Sequence, residues 1–214
     1  MTPWPTPQWL GRVSYGAAWW AQRTRRAAVL DGTAGEAIWL LEHDAVYTTG
    51  LRAVDLPAAL PAPVVRTERG GLTTWHGPGQ LVAYLILDIG GRGGSVRGTL
   101  AAVEAGVIAW LAGQGVEAGR RQGFPGVWVG RNKVCAVGMH FRRGVSMHGL
   151  ALNLSPDLSA FGAIVPCGIT DGGVTSLAEV RGSAPTPAHA SPGLGEALVR
   201  ALGARLTGSE GLAT

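Results

Sequence analysis

Seventeen arginines and one lysine make up the 18 basic side chains of this chain, and the single amine is Lys133. Arginine matches lysine in charge but keeps its proton, whereas a lysine can release one and take one up. Lys133 is therefore a candidate for proton transfer, against the plainer reading of a solvated residue at a surface turn. Asn132-Lys133-Val134 opens a strand pattern whose alternation sends Lys133 and Cys135 to one face. The second candidate is the thiol in Ile164-Val165-Pro166-Cys167-Gly168-Ile169. Proline fixes the backbone before it, and the following glycine permits positive φ and open access to sulfur. Taken alone, that segment still reads as a small buried cysteine, because cysteine is among the most buried residue types. Cys135, inside Val134-Cys135-Ala136-Val137, reads as core filling.

Two further stretches place polar groups against apolar runs. Arg69-Gly70-Gly71-Leu72-Thr73-Thr74-Trp75-His76-Gly77-Pro78-Gly79-Gln80 carries four glycines and a proline ahead of an apolar strand. Such a loop lets backbone N–H groups approach a ligand closely, with a tight hairpin turn as the structural alternative. Ser146-Met147-His148-Gly149-Leu150-Ala151-Leu152-Asn153 inserts His148 and Asn153 into an apolar strand. Both read as satisfied structural polars, and Gly149 between them as a point of close backbone approach.

The elements that must position these residues follow from periodicity and punctuation. Ser14 caps a helix over Tyr15 to Leu30 that ends near Asp31-Gly32, and Glu36 to Glu42 reads as a buried strand. Val64 to Thr67 is a short strand, and Leu81 to Ile89 is nearly continuous in apolar residues, as in a central strand. Leu100 to Leu111 fits a helix after the glycine-rich residues 90–94, and strands follow at Val127–Val129, Lys133–Phe141 and Val145–Leu154. Residues 182–193, rich in Pro, Ala and Ser, read as a linker before a last helix from about Leu194 to Leu206. The order predicts one α/β (α+β) domain over residues 1–214, a mixed sheet flanked by helices.

Composition narrows the function classes. Apolar residues at 46% and charged residues at 15% describe a globular chain. Net charge +4 and a pI near 9.7 favour acidic partners. The pairs and triplets Arg23/Arg25/Arg26, Arg120/Arg121 and Arg142/Arg143 form no long basic run, so they read as solvated faces, with an acidic protein partner as the second reading and nucleic acid not expected. Met1-Thr2-Pro3-Trp4-Pro5 lacks the basic start and apolar core of a secretory leader, and no apolar stretch nears the roughly 20 residues of a membrane span. Two cysteines make no disulfide framework, so a cytoplasmic location is expected. Neither cysteine and none of the histidines 43, 76, 140, 148 and 189 has metal-ligand spacing, so no metal is expected.

Taken in order, these segments resemble the lipoyl(octanoyl) transferase family. The resemblance rests on Arg69-Gly70-Gly71 with His76-Gly77-Pro78-Gly79-Gln80, Gly126-Val127-Trp128-Val129, Lys133 with Ala136-Val137-Gly138, Met147 through Asn153, and Pro166-Cys167-Gly168-Ile169; Glu42-His43 with Val46-Tyr47-Thr48-Thr49-Gly50 joins them upstream. It runs from about residue 42 to 177 and fades beyond. Trp75 stands where the family usually has tyrosine or phenylalanine, and Leu85 where proline often follows Tyr84. The resemblance implies a fold similar to the catalytic domain of biotin and lipoate ligases. It implies octanoyl transfer from octanoyl-acyl carrier protein to a lysine of a lipoyl domain, in 2-oxoacid dehydrogenases or the glycine cleavage H protein, with no cofactor. It makes Cys167 the acyl-accepting nucleophile and Lys133 its partner. The acyl pocket would be lined by Arg69, Gly70, Gly71, Leu72, Thr73, Thr74, Trp75 and His76, by Ala136, Val137 and Gly138, and by Gly149, Leu150 and Ala151.

The chemistry suits those residue types. Exchange of a thioester onto a thiol is nearly balanced in energy and keeps the acyl group activated. A free cysteine, with pKa near ~8.5, is only a few per cent thiolate at neutral pH, and a neighbouring ammonium favours the thiolate. An amine can then take a proton from the incoming lysine, which arginine cannot. Three other readings stay open: an ATP-dependent lipoate or biotin ligase, for which Gly91-Arg92-Gly93-Gly94 offers a superficial likeness after the wrong strand; a non-catalytic acyl-binding module; and a cysteine hydrolase pairing Cys167 with His76 or His148.

Overall fold

The computed structural model describes residues 2–52, 60–164 and 172–206. Pro166, Cys167, Gly168 and Ile169 lie outside the described residues. In chain order the elements are β1 (Pro7–Arg12), α1 (Tyr15–Leu30), β2 (Ala37–Glu42), β3 (Val46–Thr49), β4 (Val64–Arg66), β5 (Thr73–His76), β6 (Gln80–Ile86), α2 (Val96–Gly113), β7 (Gly119–Arg121), β8 (Phe124–Val129), β9 (Asn132–Arg142), β10 (Val145–Asn153), a 3-10 turn (Leu158–Ala163), β11 (Gly173–Val174), α3 (Leu177–Arg181) and α4 (Pro187–Leu206).

The sheet is mixed. Seven strands run in the order β1-β2-β6-β10-β9-β8-β7, and β11 adds to β9. The β1–β2 and β11–β9 pairs are parallel and the others antiparallel. Along β6 the side chains alternate between two cores. Leu81, Ala83 and Leu85 pack with Val107 of α2 and Leu198 of α4, while Val82, Tyr84 and Ile86 pack with Ala18 of α1. Both faces are covered, which is why this strand reads as continuously apolar. A second sheet, β4-β3-β5, holds its own cluster of Tyr47 and Trp75 with Phe161 and Ile164.

Helix α1 forms where its cap predicts: Ser14 Oγ accepts from Ala17 N–H at 3.4 Å, and Tyr15, Ala18, Gln22 and Arg26 are buried at helical spacing. Arg26 therefore departs from the solvated reading of its cluster. Its Nη1 donates to His140 Nδ1 at 2.7 Å and its Nη2 lies 3.8 Å from Glu68.

The last helix also departs from expectation, beginning at Pro187 rather than near Leu194, so only residues 182–186 connect it to α3. Thr186 Oγ1 caps it by accepting from His189 N–H, and Pro187 sits at the first helical position, where a missing N–H costs nothing. Pro192 cannot donate to the Ala188 carbonyl one turn back; Ser191 Oγ–H donates to it instead at 3.0 Å. Helix α2 departs from the expectation that no stretch nears a membrane span: by length and composition its 18 residues could cross one, but it packs here against α4, with Ala102, Val103, Val107 and Leu111 inside the core.

Candidate active site

A cavity of about 440 Å³ lies where β9 runs past the end of β8. Beyond Cys135 the edge of β9 has no β8 partner, and the loop before β5 docks there, Gly70 N–H donating to Met139 O at 3.1 Å. Arg69 fixes that loop from below. Its Nε donates to Thr48 Oγ1 at 3.1 Å, its Nη2 to Thr48 O at 2.5 Å and its Nη1 to Gly70 O at 3.1 Å. Of the residues that the sequence placed around an acyl pocket, Arg69 to Thr74, His76, Ala136, Val137, Gly138, Gly149, Leu150 and Ala151 line this cavity. Trp75 does not. On β5 it points away from its neighbours Thr74 and His76, into the second sheet's cluster, with its ring 5.6 Å from that of Phe161.

Lys133 reaches the cavity from β9, buried at 6% exposure. Its Nζ lies 4.9 Å from the centroid of the Trp128 ring, a cation–π contact. Cys135 is fully buried in the main core, and burial pushes its thiol well above the ordinary range, as expected of core filling.

A chain of hydrogen bonds ties the glycine-rich loop to the Lys133 backbone. Thr48 Oγ1 lies 3.3 Å from His76 Nε2, His76 Nδ1–H donates to Gln80 Oε1 at 2.7 Å, and Gln80 Nε2 donates to Asn153 Oδ1 at 2.9 Å. Asn153 Nδ2 then donates to Thr175 O at 3.0 Å, and Thr175 N–H to Lys133 O at 3.0 Å. Burial, with His43 and Arg69 nearby, pushes His76 down to about 3, so its ring is neutral and Nε2 accepts. His76, Gln80 and Asn153 are thus structural polars that align three strands.

His148 differs from its sequence reading. It holds φ +62° in the left-handed region, is 2% exposed and lines the cavity, yet neither ring nitrogen makes a hydrogen bond among the described residues. Its Nε2 is 3.8 Å from Glu68 Oε2, too long for one. Burial holds the ring below the usual histidine range, and Glu68, facing that ring and receiving Trp19 Nε1–H at 2.9 Å, is held down to about 2. A Cβ at Gly149 would meet the Ala83 carbonyl and lie 2.7 Å from Leu85 Cδ1, so β10 crosses β6 here without room for a side chain.

Sequence reasoning missed Tyr15, Val82, Tyr84, Leu100, Phe124, Met139 and Phe141, all of which line the cavity. Tyr84 carried a signal, a hydroxyl inside an apolar run; its OH donates to His43 Nε2 at 2.7 Å, while His43 Nδ1–H donates to Val13 O. Arg92, in the loop with a ligase-like composition, is held by Glu36 and the carbonyls of Thr2 and Pro3, and stacks 4.0 Å over Trp4. It anchors the N-terminal segment.

Comparison with known proteins places the chain. The lipoyl protein ligase A/B catalytic domain family matches residues 14–198. A Caulobacter vibrioides protein named octanoyltransferase is 49% identical over 78% of this chain and 79% of its own length. Its Brucella melitensis namesake is 40% identical over 95% of this chain and 83% of its own. Among solved structures, a lipoate-protein ligase A bound with ATP superposes with TM-score 0.67 at 15% identity, covering 94% of this chain and 85% of that one. A biotin protein ligase from Aquifex aeolicus gives 0.55 at 12% identity, covering 94% and 70%. These two show a shared fold and no more. The chain belongs to the lipoyl protein ligase A/B catalytic domain family and is an acyltransferase.

Proposed function

We propose that this enzyme transfers an octanoyl group from octanoyl-acyl carrier protein to a lysine of a lipoyl domain through a thioester on Cys167. The observation that carries this reading is the return of the chain beside Lys133. After the segment that contains Cys167, β11 pairs in parallel with β9, with Gly173 opposite Asn132 and Val174 opposite Lys133. The only lysine of the chain thus stands in the wall of a largely apolar cavity, next to the strand that follows the candidate nucleophile. The likeness to proteins named octanoyltransferase supports the acyl group chosen.

In this scheme the Cys167 thiolate attacks the thioester carbonyl, the tetrahedral intermediate expels the carrier thiolate, and the Lys133 ammonium gives that sulfur a proton. Lys133 is left as a neutral amine beside the acyl-enzyme. A neutral acceptor lysine then attacks the acyl carbon, Lys133 takes the proton from its nitrogen, and Cys167 leaves as thiolate. The cavity wall of Val82, Leu100 and Val137 shelters the chain from water, which keeps the thioester from hydrolysis.

Intact mass spectrometry after mixing the protein with octanoyl-acyl carrier protein tests this. An octanoyl adduct that Cys167→Ser lacks, and that a lipoyl domain discharges, is the expected result. Lipoyl-domain acylation from free octanoate and ATP, with no adduct, makes the enzyme a ligase; free octanoate released without acceptor makes it a hydrolase.

A further inference from the structure

Lys133 lies along the backbone of Gly126, and the N–H of that backbone is held by an acid on α2. Glu104 is 8% exposed in the middle of α2, whose other charged residue is Arg97 near its start. One of its oxygens, Oε1, accepts the N–H of Gly126 at 2.9 Å; the other, Oε2, accepts Arg120 Nε at 2.9 Å. Gly126 sits just before the point where the β8–β9 register shifts, between Val127 and Trp128, and its φ of +126° suits glycine. A Cβ on Gly126 would lie 2.5 Å from Cys135 O, 3.2 Å from Lys133 Cε and 3.4 Å from Lys133 Cδ. The lysine's methylene stem therefore rests on a bare stretch of main chain. The indole of Trp128, two residues along β8, faces its Nζ at 4.9 Å.

We infer that Glu104 is a positioning residue for the acyl transfer: by accepting the Gly126 N–H it fixes the seat against which Lys133 is aimed. The inference rests on the reading of Lys133 as the proton-transferring residue. Gly126 and Trp128 move together because they are two residues apart on one strand, so loosening Gly126 frees both the floor and the face of the Lys133 stem. The ion pair of Glu104 with Arg120, which also donates Nη2–H to Ala101 O at 2.7 Å, aligns the carboxylate so that Oε1 faces β8. A buried acid on a helix packed against the core is a costly arrangement for packing alone, and here its Oε1 is used on one backbone N–H beside the only lysine of the chain.

The test compares kcat and KM of Glu104→Ala, Glu104→Gln, Glu104→Asp, Lys133→Ala and the Glu104→Ala/Lys133→Ala double variant in octanoyl transfer to a lipoyl domain. Glu104→Ala lowers kcat by about 10- to 100-fold, the loss that a misplacement of about 1 Å produces, with KM for both substrates little changed. Glu104→Gln keeps one acceptor oxygen, which holds the Gly126 N–H once the part-exposed Arg120 guanidinium turns to solvent, and restores kcat to within about threefold of wild type. Glu104→Asp, which keeps the charge but withdraws the acceptor, falls between, and carries the test if the alanine variant does not fold. The double variant is no slower than Lys133→Ala, since the seat has nothing left to aim. Wild-type kcat in both Glu104→Ala and Glu104→Asp, equal losses in the glutamine and alanine variants, or additive losses in the double variant would each overturn the inference. Full activity in Lys133→Ala would instead remove the role of Lys133 on which it stands.

Discussion

Thr175 donates its backbone N–H to the main-chain oxygen of Lys133 at 3.0 Å, and its own carbonyl accepts from Asn153 Nδ2 at 3.0 Å. This two-sided contact fastens the start of the C-terminal segment to the strand that carries the lysine. Asn153 is 4% exposed and its oxygen is already taken by Gln80, so both polar ends of the side chain are used. Asn153→Leu leaves the Gln80 amide and the Thr175 carbonyl buried without those partners. The expected cost is about 2–3 kcal/mol in urea denaturation, together with a fall in kcat. A loss in stability with kcat untouched would confine Asn153 to the fold.

Lys133→Arg separates charge from proton transfer. The guanidinium keeps a positive charge beside the proposed thiolate but holds its proton; the carrier sulfur can still depart as a thiolate, so the acyl adduct forms, while its discharge to the lipoyl domain, which needs a base, slows by about 100-fold or more. Time-resolved intact mass reads both halves in one experiment. Adduct that discharges at the wild-type rate would show that Lys133 moves no proton.

Local chemistry in the sequence accounts for much of this frame. Ser14 before an apolar run starts α1 because an N-cap is a local event, and the alternation of β6 follows from having helices on both faces. The family resemblance named the loop from Arg69 to His76 and the strand from Ala136 as walls of an acyl pocket, and of these all but Trp75 line the cavity. Three features were not legible in the sequence. Trp75 sits inside a motif, but strand alternation turns it away, and only the register of β5 with β3 reveals this. The start of α4 was hidden by its prolines, whose cost is offset by a cap at Thr186 and a serine hydroxyl at position 191. The seat of Lys133 depends on Glu104, 29 residues earlier on a helix that reads as plain core. Cys167 remains a sequence-based assignment, because its segment lies outside the described residues.

Acidification weakens the fold through its buried imidazoles. Burial holds His43, His76 and His148 below the ordinary histidine value of 6.5, His76 at about 3. Below that ordinary value the unfolded chain binds protons on these rings while the folded chain does not, so stability falls as pH drops. For His76 the loss is about 1.4 kcal/mol per pH unit between 6.5 and about 3, and His43 and His148 act in the same direction. Glu68, held at about 2, acts in the same direction lower down, its contribution fading as pH falls from its unfolded value of 4.5 towards 2. Urea midpoints measured from pH 7.5 to 4.5 should decline steadily below 6.5. A flat profile would mean that these rings protonate inside the folded protein.

Trp75 and Gly138 divide stability from acyl-chain selection. Trp75 contributes to the Tyr47–Phe161–Ile164 cluster and not to the cavity, so Trp75→Phe should cost about 1–2 kcal/mol and leave the ratio of octanoyl to shorter-chain turnover unchanged. Gly138 is in the cavity wall, and a Cβ there would lie 3.0 Å from Gly70 O and 3.7 Å from Arg69 Cδ. Gly138→Ala must push the Arg69–Gly71 backbone outward or fill space that an acyl chain uses, and either response changes which chain fits. Competition between hexanoyl and octanoyl donors reads the difference directly: the ratio moves towards the shorter chain in Gly138→Ala and stays at the wild-type value in Trp75→Phe. The opposite pattern would put the chain's end against the second sheet and assign the cavity beside Lys133 to some other part of the substrate.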